Sequence, residues 1–199
     1  MNIDEFVNES LKENKGYIFV YHQSQYKENI SFDIFPSIVL SLKELNDNLS
    51  IFNNDICYSV IPLILYDGYI YSKLKQMIPS TWILYGPIIR DNKDLEYIIS
   101  LLTSKEKELL CIIHPRENND FLIQLKKILK NNIYTFNDDF YLDKNKEYKV
   151  MLWLLTHGQH YHDILLKVED YIEKGFNIEI GQVLLDYPKI KEFIQRRMV

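Results

Sequence analysis

Glycine and cysteine are scarce in this chain. Six glycines in 199 residues leave few places for tight phosphate-cradling turns, and there is neither a Gly-rich phosphate loop nor a Gly-x-Ser-x-Gly turn. Two cysteines, Cys57 in "DICYSVIP" and Cys111 in "ELLCIIHP", do not make a Cys-rich metal site. In these apolar surroundings both read as small buried hydrophobes rather than a disulfide. No apolar run reaches the roughly 18 residues of a membrane-spanning helix, the longest being broken by Pro62, Asp67 or His157. Excess positive charge is also missing: 23 Lys and Arg stand against 28 Asp and Glu, for a formal net charge of −5. The basic residues are scattered among acidic ones, which argues against a nucleic-acid-binding face. The start, "MNIDEFVNES", lacks the basic-then-apolar order of a secretory signal, so a soluble cytoplasmic protein is expected.

What is abundant is apolar and aromatic: 47% hydrophobic residues, with 15 Tyr and 10 Phe, far above disordered chains. The length suits one ordinary domain, or a domain with a small appendage.

Strand-like and helix-like signals alternate along the first two thirds. "GYIFVY" reads as a buried strand, and "FDIFPSIVLSLKEL" as a helix carrying Ile34, Ile38, Leu42 and Leu45. "CYSVIPLILYDG" reads as a short strand that Pro62 confines to an edge or ends early, followed by a helix "YIYSKLKQMI". "STWILYGPII" is a strand with a Gly-Pro break, and "NKDLEYIISLLTS" an amphipathic helix. "ELLCIIHP", "NNDFLIQLKKILKNN" and "IYTF" continue as strand, helix, strand. This order predicts an α/β lobe over residues 1–140 with a mostly parallel sheet and flanking helices. After a polar connector containing Asp138, Asp139 and Asp143, the pattern predicts helices only. They are "YKVMLWLLTHG", "HDILLKVEDYIEKG" stopped by Gly175, and "DYPKIKEFIQRRM" with Asp186 near its N-cap and Pro188 in its first turn. These make a small C-terminal helical lobe over 146–199.

Two stretches carry candidate chemistry. "THGQHYHD" holds His157, His160, His162 and Asp163. On one helix His157 and His160 are neighbours, but His162 points away from both, since each residue advances about 100°. Four ligands for a structural zinc are not in view, and Gly158 suits a break between two helices. The plain reading is a helix-loop-helix turn; the sharper one is a metal-dependent hydrolase site at His157, His160 and Asp163. "CIIHPREN" ends a strand in His114 and Arg116 at what would be the carboxyl edge of a sheet, where α/β proteins bind ligands. It resembles the nucleotide-sugar half of some glycosyltransferases, although the chain is about half the length of such an enzyme. No motif calls for a cofactor, and no metal is expected.

Read in order, "SVIPLIL", "STWILYGPIIRDNKDLEYIISLL", "IIHPR" and "LLTHGQHYHDILLKVEDYIEKGFNIEIGQVLLDYPKIKEFI" resemble the bacterial type VI secretion effector chaperone, or adaptor, family. The resemblance runs from about Gly16 to Ile194. Departures are His114 where the family has Asp, Leu110 to Ile112 where it has an Arg, and Ile83 where it has a glycine. It implies a non-enzymatic cytoplasmic adaptor that binds a toxic effector protein and helps load it onto a secretion-spike protein. Trp82, Arg116 and Trp153 are the residues expected to bind the partner, although core packing is the plainer role for each tryptophan. An immunity protein that blocks a cognate toxin is the other binding-protein reading.

Overall fold

A computed structural model describes residues 1–22, 30–53, 55–103, 107–113, 119–129 and 133–198. Among these, one compact unit comprises 1–22, 30–90 and 192–198, and a second comprises the described part of 91–191. The connector containing Asp138, Asp139 and Asp143 therefore lies inside the second unit.

In the first unit, Asn2 and Glu5 form a reciprocal capping box that starts α1 (Ile3–Glu13). The apolar run β1 (Gly16–Tyr21) follows, then β2 (Ser37–Ser41), α2 (Leu42–Asp47), β3 (Tyr58–Pro62), α3 (Tyr69–Met77) and the two-residue β4 (Ile83–Leu84). All pairings are parallel, in the order β2-β1-β3-β4. The expected helix over "FDIFPSIVLSLKEL" is therefore half strand. Ile38 and Leu40 alternate into the core, and the helix begins only where Ser41 and Glu44 cap it reciprocally. Pro62 ends β3 as expected, because a residue without an N–H cannot continue a central ladder.

The second unit holds α4 (Asn92–Leu102), β5 (Glu108–Ile113), α5 (Asn119–Leu129), β6 (Ile133–Thr135), β7 (Glu147–Leu152), α6 (Gln159–Glu173) and β8 (Asn177–Ile180). Its parallel order is β6-β5-β7-β8. A last helix, α7 (Pro188–Arg196), completes the chain. The α/β class and parallel sheets are as expected, and the amphipathic stripe of α4 buries Leu95, Ile98, Ile99 and Leu102. Helices α6 and α7 and the stop at Gly175, where φ is +90°, also match the C-terminal expectation. Two strands were not expected there. "YKVML" is β7 rather than a helix: it is central, with Tyr148, Val150, Met151 and Leu152 all buried. A strand apolar on both faces has no period of two to distinguish it from a buried helix. "NIEI" after Gly175 is β8, which pairs along β7.

The two units repeat one another. "YSVIPLILYDGYIYSK" and "YKVMLWLLTHGQHYHD" align without a gap, and their backbone hydrogen bonds match one for one. Leu63 N–H donates to the Val20 carbonyl (2.7 Å) as Trp153 does to Ile112 (2.9 Å). Tyr85 donates to Val60 as Gly181 does to Val150, both at 2.9 Å. Ile88 and Ile89 donate to Ile64 and Leu65, as Leu184 and Leu185 do to Leu154 and Leu155. Each loop after the third strand of its unit is thus pinned by the same bonds, and each ends at a glycine, Gly68 or Gly158, that precedes α3 or α6.

Each unit has its own core. Phe6, Tyr58, Phe52 and Trp82 interlock in the first, with ring centroids 4.8–6.1 Å apart; Leu110, Val150, Leu152, Ile164 and Val168 form the second. The chain's C-terminus is tied into the first unit: the Arg197 guanidinium donates to the Pro87 carbonyl (3.0 Å) and to that of Ile88, and Tyr85 Oη to the Met198 carbonyl (3.2 Å). No helix among the described residues is long and apolar enough to cross a membrane.

Cys111 is buried as expected, but Cys57 is exposed, and burial pushes the Cys111 thiol up, far from any thiolate population at neutral pH. A thiol-reactive chromogen is expected to titrate one cysteine in the native protein and both after denaturation; rapid labelling of both in the native state would contradict this packing. Gly181 makes the closest backbone approach, since a Cβ there would lie 2.3 Å from the Val150 carbonyl oxygen. Gly181→Ala is expected to cost about 2–3 kcal/mol by overpacking, read as a lowered urea midpoint with unchanged slope.

Candidate functional site

In a parallel α/β sheet the loops beyond the carboxyl ends of the strands are where ligands bind. The duplication gives each unit one such loop between its third strand and the following helix, with equal backbones and different side chains. In register, Asp67 stands against His157, Tyr69 against Gln159, Ile70 against His160, Ser72 against His162 and Lys73 against Asp163.

In the second unit this exchange gathers the imidazoles. His157 precedes Gly158, and its Nε2 lies 2.9 Å from the Asp186 carboxylate. His160, in the first turn of α6, stacks on Phe136 at 4.5 Å and lies 3.8 Å from the Asp163 carboxylate. Gln159 donates to the other oxygen of Asp163 at 2.7 Å. Tyr161 sits edge-on between His157 (4.5 Å) and His162 (5.5 Å). The Asp186 carboxylate, at hydrogen-bond distance, fixes the orientation of the His157 ring, as carboxylates do for proton-transferring and metal-ligating histidines, whereas Asp163 is a charged neighbour of His160 rather than its hydrogen-bond partner. His157, His160, Asp163 and Asp186 are all partly exposed, between 36% and 45% by side chain. Among the described residues, no three of His, Cys, Asp and Glu converge as a metal cage. The element is strand-loop-helix, β7 to α6, not the expected helix-loop-helix.

The equivalent face of the first unit carries a cleft of about 500 Å3. His22, which follows β1, lies on it with residues of α2 and α3, including Lys43, Lys73 and Tyr69. In sequence, His22 stands two residues beyond Val20 as His114 does beyond Ile112. His114 and Arg116 lie outside the described residues. None of the first unit's cleft residues reads as a site residue in the sequence; Leu42 is marked there only as part of a helix's apolar face. The signal that could have found them is the gap-free repeat itself, visible once the two "Y-x-V" strands are aligned.

Trp82 and Trp153 are both core residues. Trp82 packs against Phe52 and Tyr58 at 6% exposure, and Trp153 is 1% exposed.

The fold defines a class, a duplicated parallel α/β protein with one four-stranded parallel sheet in each unit. Among solved structures, the chain is similar to CbiX, described as the terminal enzyme for siroheme biosynthesis in denitrifying bacteria. That likeness has a TM-score of 0.64 at 12% identity and covers 92% of this chain and 97% of that one. It is also similar to the sirohydrochlorin chelatase SirB of Bacillus subtilis subspecies spizizenii in complex with cobalt (TM-score 0.58, 14% identity, 92% and 93% covered). A third similar structure is SirB from Bacillus subtilis with Fe3+ (TM-score 0.57, 13% identity, 92% and 94% covered). No family model and no curated protein matches the sequence.

These findings correct the adaptor reading. The resemblance to type VI secretion effector chaperones rests on the order of "SVIPLIL", "STWILYGPIIRDNKDLEYIISLL", "IIHPR" and the stretch from "LLTHGQ" to "IKEFI", which overlap β3, α4, α6, β8 and α7 of the two parallel units. Apolar strands alternating with amphipathic helices recur throughout parallel α/β proteins, so the order of such short motifs does not single out that family. With the resemblance go the effector client, the secretion-spike partner and the non-enzymatic role, as well as the immunity-protein reading; the similar structures are of enzymes.

Trp153→Ala is expected to cost about 3–5 kcal/mol, as for other fully buried aromatics, measured by urea unfolding. A loss under about 1 kcal/mol would show that the ring does not hold the second core together.

Proposed function

We propose that the protein is a chelatase, inserting a divalent metal into a tetrapyrrole of the sirohydrochlorin kind, in the cytoplasm. The observation that carries this reading is the likeness along nearly the whole length of both chains, 92% of this one and 97% of CbiX, with both halves of the duplication included. Metal and macrocycle are the two substrates; the product is the metallated ring, and the inner pyrrole N–H protons leave as the metal enters. A protein that assists needs donors that take up a metal ion and give it away, together with bases that accept those protons. Imidazoles do both near neutral pH. His157 and His160, each beside a carboxylate, supply them from the loop and first turn of α6. An incomplete, partly exposed ligand set suits a metal that must be released, whereas a closed four-ligand cage suits a structural ion.

Anaerobic incubation of the protein with Co2+ and sirohydrochlorin is expected to convert the free-base absorbance to that of the metallated ring faster than the buffer control. His160→Ala is expected to slow the protein-dependent rate by about 100-fold while leaving the circular dichroism unchanged. No acceleration by the parent protein with either Co2+ or Fe2+ would sink the proposal.

A further inference from the structure

We infer that the cleft of the first unit recognises the peripheral carboxylates of the macrocycle through Lys43 and Lys73, and so selects a heavily carboxylated ring over a sparsely carboxylated one; this rests on the chelatase reading. The cleft's volume, about 500 Å3, is in the ordinary range for small-molecule sites. Its lining combines surface for a flat ring with cations for anionic substituents. Leu42, Met77 and the Tyr69 ring provide the first, and the Tyr69 side chain is 70% exposed. Lys43 on α2 and Lys73 on α3 provide the second, and the Lys73 ammonium stands 5.6 Å from the Tyr69 ring centroid. Among the described residues that line it there is no Asp or Glu, although the chain as a whole carries net charge −5. Two lysines on one concave face, with no carboxylate among its described lining residues, reverse the sign of the molecule's net charge there.

The duplication shows that this reversal is not a general property of the repeat. At the positions of Tyr69 and Lys73 the second unit has Gln159 and Asp163, and Asp163 would repel a carboxylate where Lys73 attracts one. The same backbone thus carries an anion-attracting face in one half and an imidazole-carboxylate face in the other. Ammonium groups on flexible stems act as point charges that tolerate several carboxylate positions. They therefore grade ligands by how many carboxylates surround the ring.

The test is a fluorescence titration of the full-length protein, without metal, using two free-base porphyrins: uroporphyrin, acidic at every peripheral position, and mesoporphyrin, which carries only a pair of acids. Uroporphyrin is expected to bind more tightly and to weaken as salt is raised. Lys43→Ala and Lys73→Ala are each expected to weaken uroporphyrin roughly three- to ten-fold, while mesoporphyrin changes less than about two-fold and Lys73→Arg retains most of the preference. Uroporphyrin binding that is unchanged in both alanine variants, or equal losses for both porphyrins, would overturn the assignment and leave the chelatase reading standing. Failure of the parent protein to bind uroporphyrin would likewise overturn the assignment, while the chelatase reading stands or falls on the sirohydrochlorin assay.

Discussion

Parallel pairing is the constraint on which the rest depends. Strands that all run one way must each be re-entered from the same end, so every connection leaving a carboxyl end does so along one edge of its sheet. In each unit the loop after the third strand lies on that edge, held by backbone bonds to the Ile64 and Leu65 carbonyls or to those of Leu154 and Leu155. Because those bonds use only main-chain atoms, the loop keeps its course whatever its side chains are. His22, Asp67 and Tyr69 on one side, and His157 and His160 on the other, are placed by main-chain geometry and are free to differ.

That freedom accounts for the contrast between the halves. Tyr58 and Tyr148, Val60 and Val150, Leu65 and Leu155, and Gly68 and Gly158 keep the same character because they fill equivalent positions in strand, loop and turn. The positions between and after them diverge: Lys73 against Asp163, Ile70 against His160. Core positions answer to packing, where a lost methylene is costly, whereas edge positions are released from that constraint. A duplicated fold thus carries two different sets of edge side chains on one scaffold.

Much of the fold was legible in the residues. Leu95, Ile98, Ile99 and Leu102 mark α4 by their spacing, Pro62 ends β3 for want of an N–H, and Gly175 stops α6 at a positive φ that favours glycine. The differences have separate causes. "YKVML" reads as helix because a strand buried on both faces shows no alternation, whereas "SIVLS" does alternate into the core but runs straight into the capped helix of "LKEL", whose spacing extends the helical pattern back over it. Only their neighbours, β1 for Ser37–Ser41 and β5 with β8 for Glu147–Leu152, make them strands. Reading β7 as helix also made the turn at Gly158 a break between helices, which concealed that it repeats the loop at Gly68. The candidate site was half legible: the histidines stood out by their density, but the first unit's cleft is assembled from α2, α3 and the end of β1, segments that no local pattern joins.

The sequence by itself determined the α/β class, the periodic helices, the stops at Pro62 and Gly175, and the presence of an unusual histidine cluster. These follow from local physics, that is, from backbone propensity, side-chain periodicity and the few residues with special φ or no N–H. Only the tertiary structure decided which apolar runs are strands, that the chain is two copies of one unit, and that Asp186 meets His157 while Lys43 and Lys73 share a cleft. Those outcomes depend on contacts between segments far apart in the chain, and hydrogen bonds across a parallel sheet leave no mark in the order of residues along one strand.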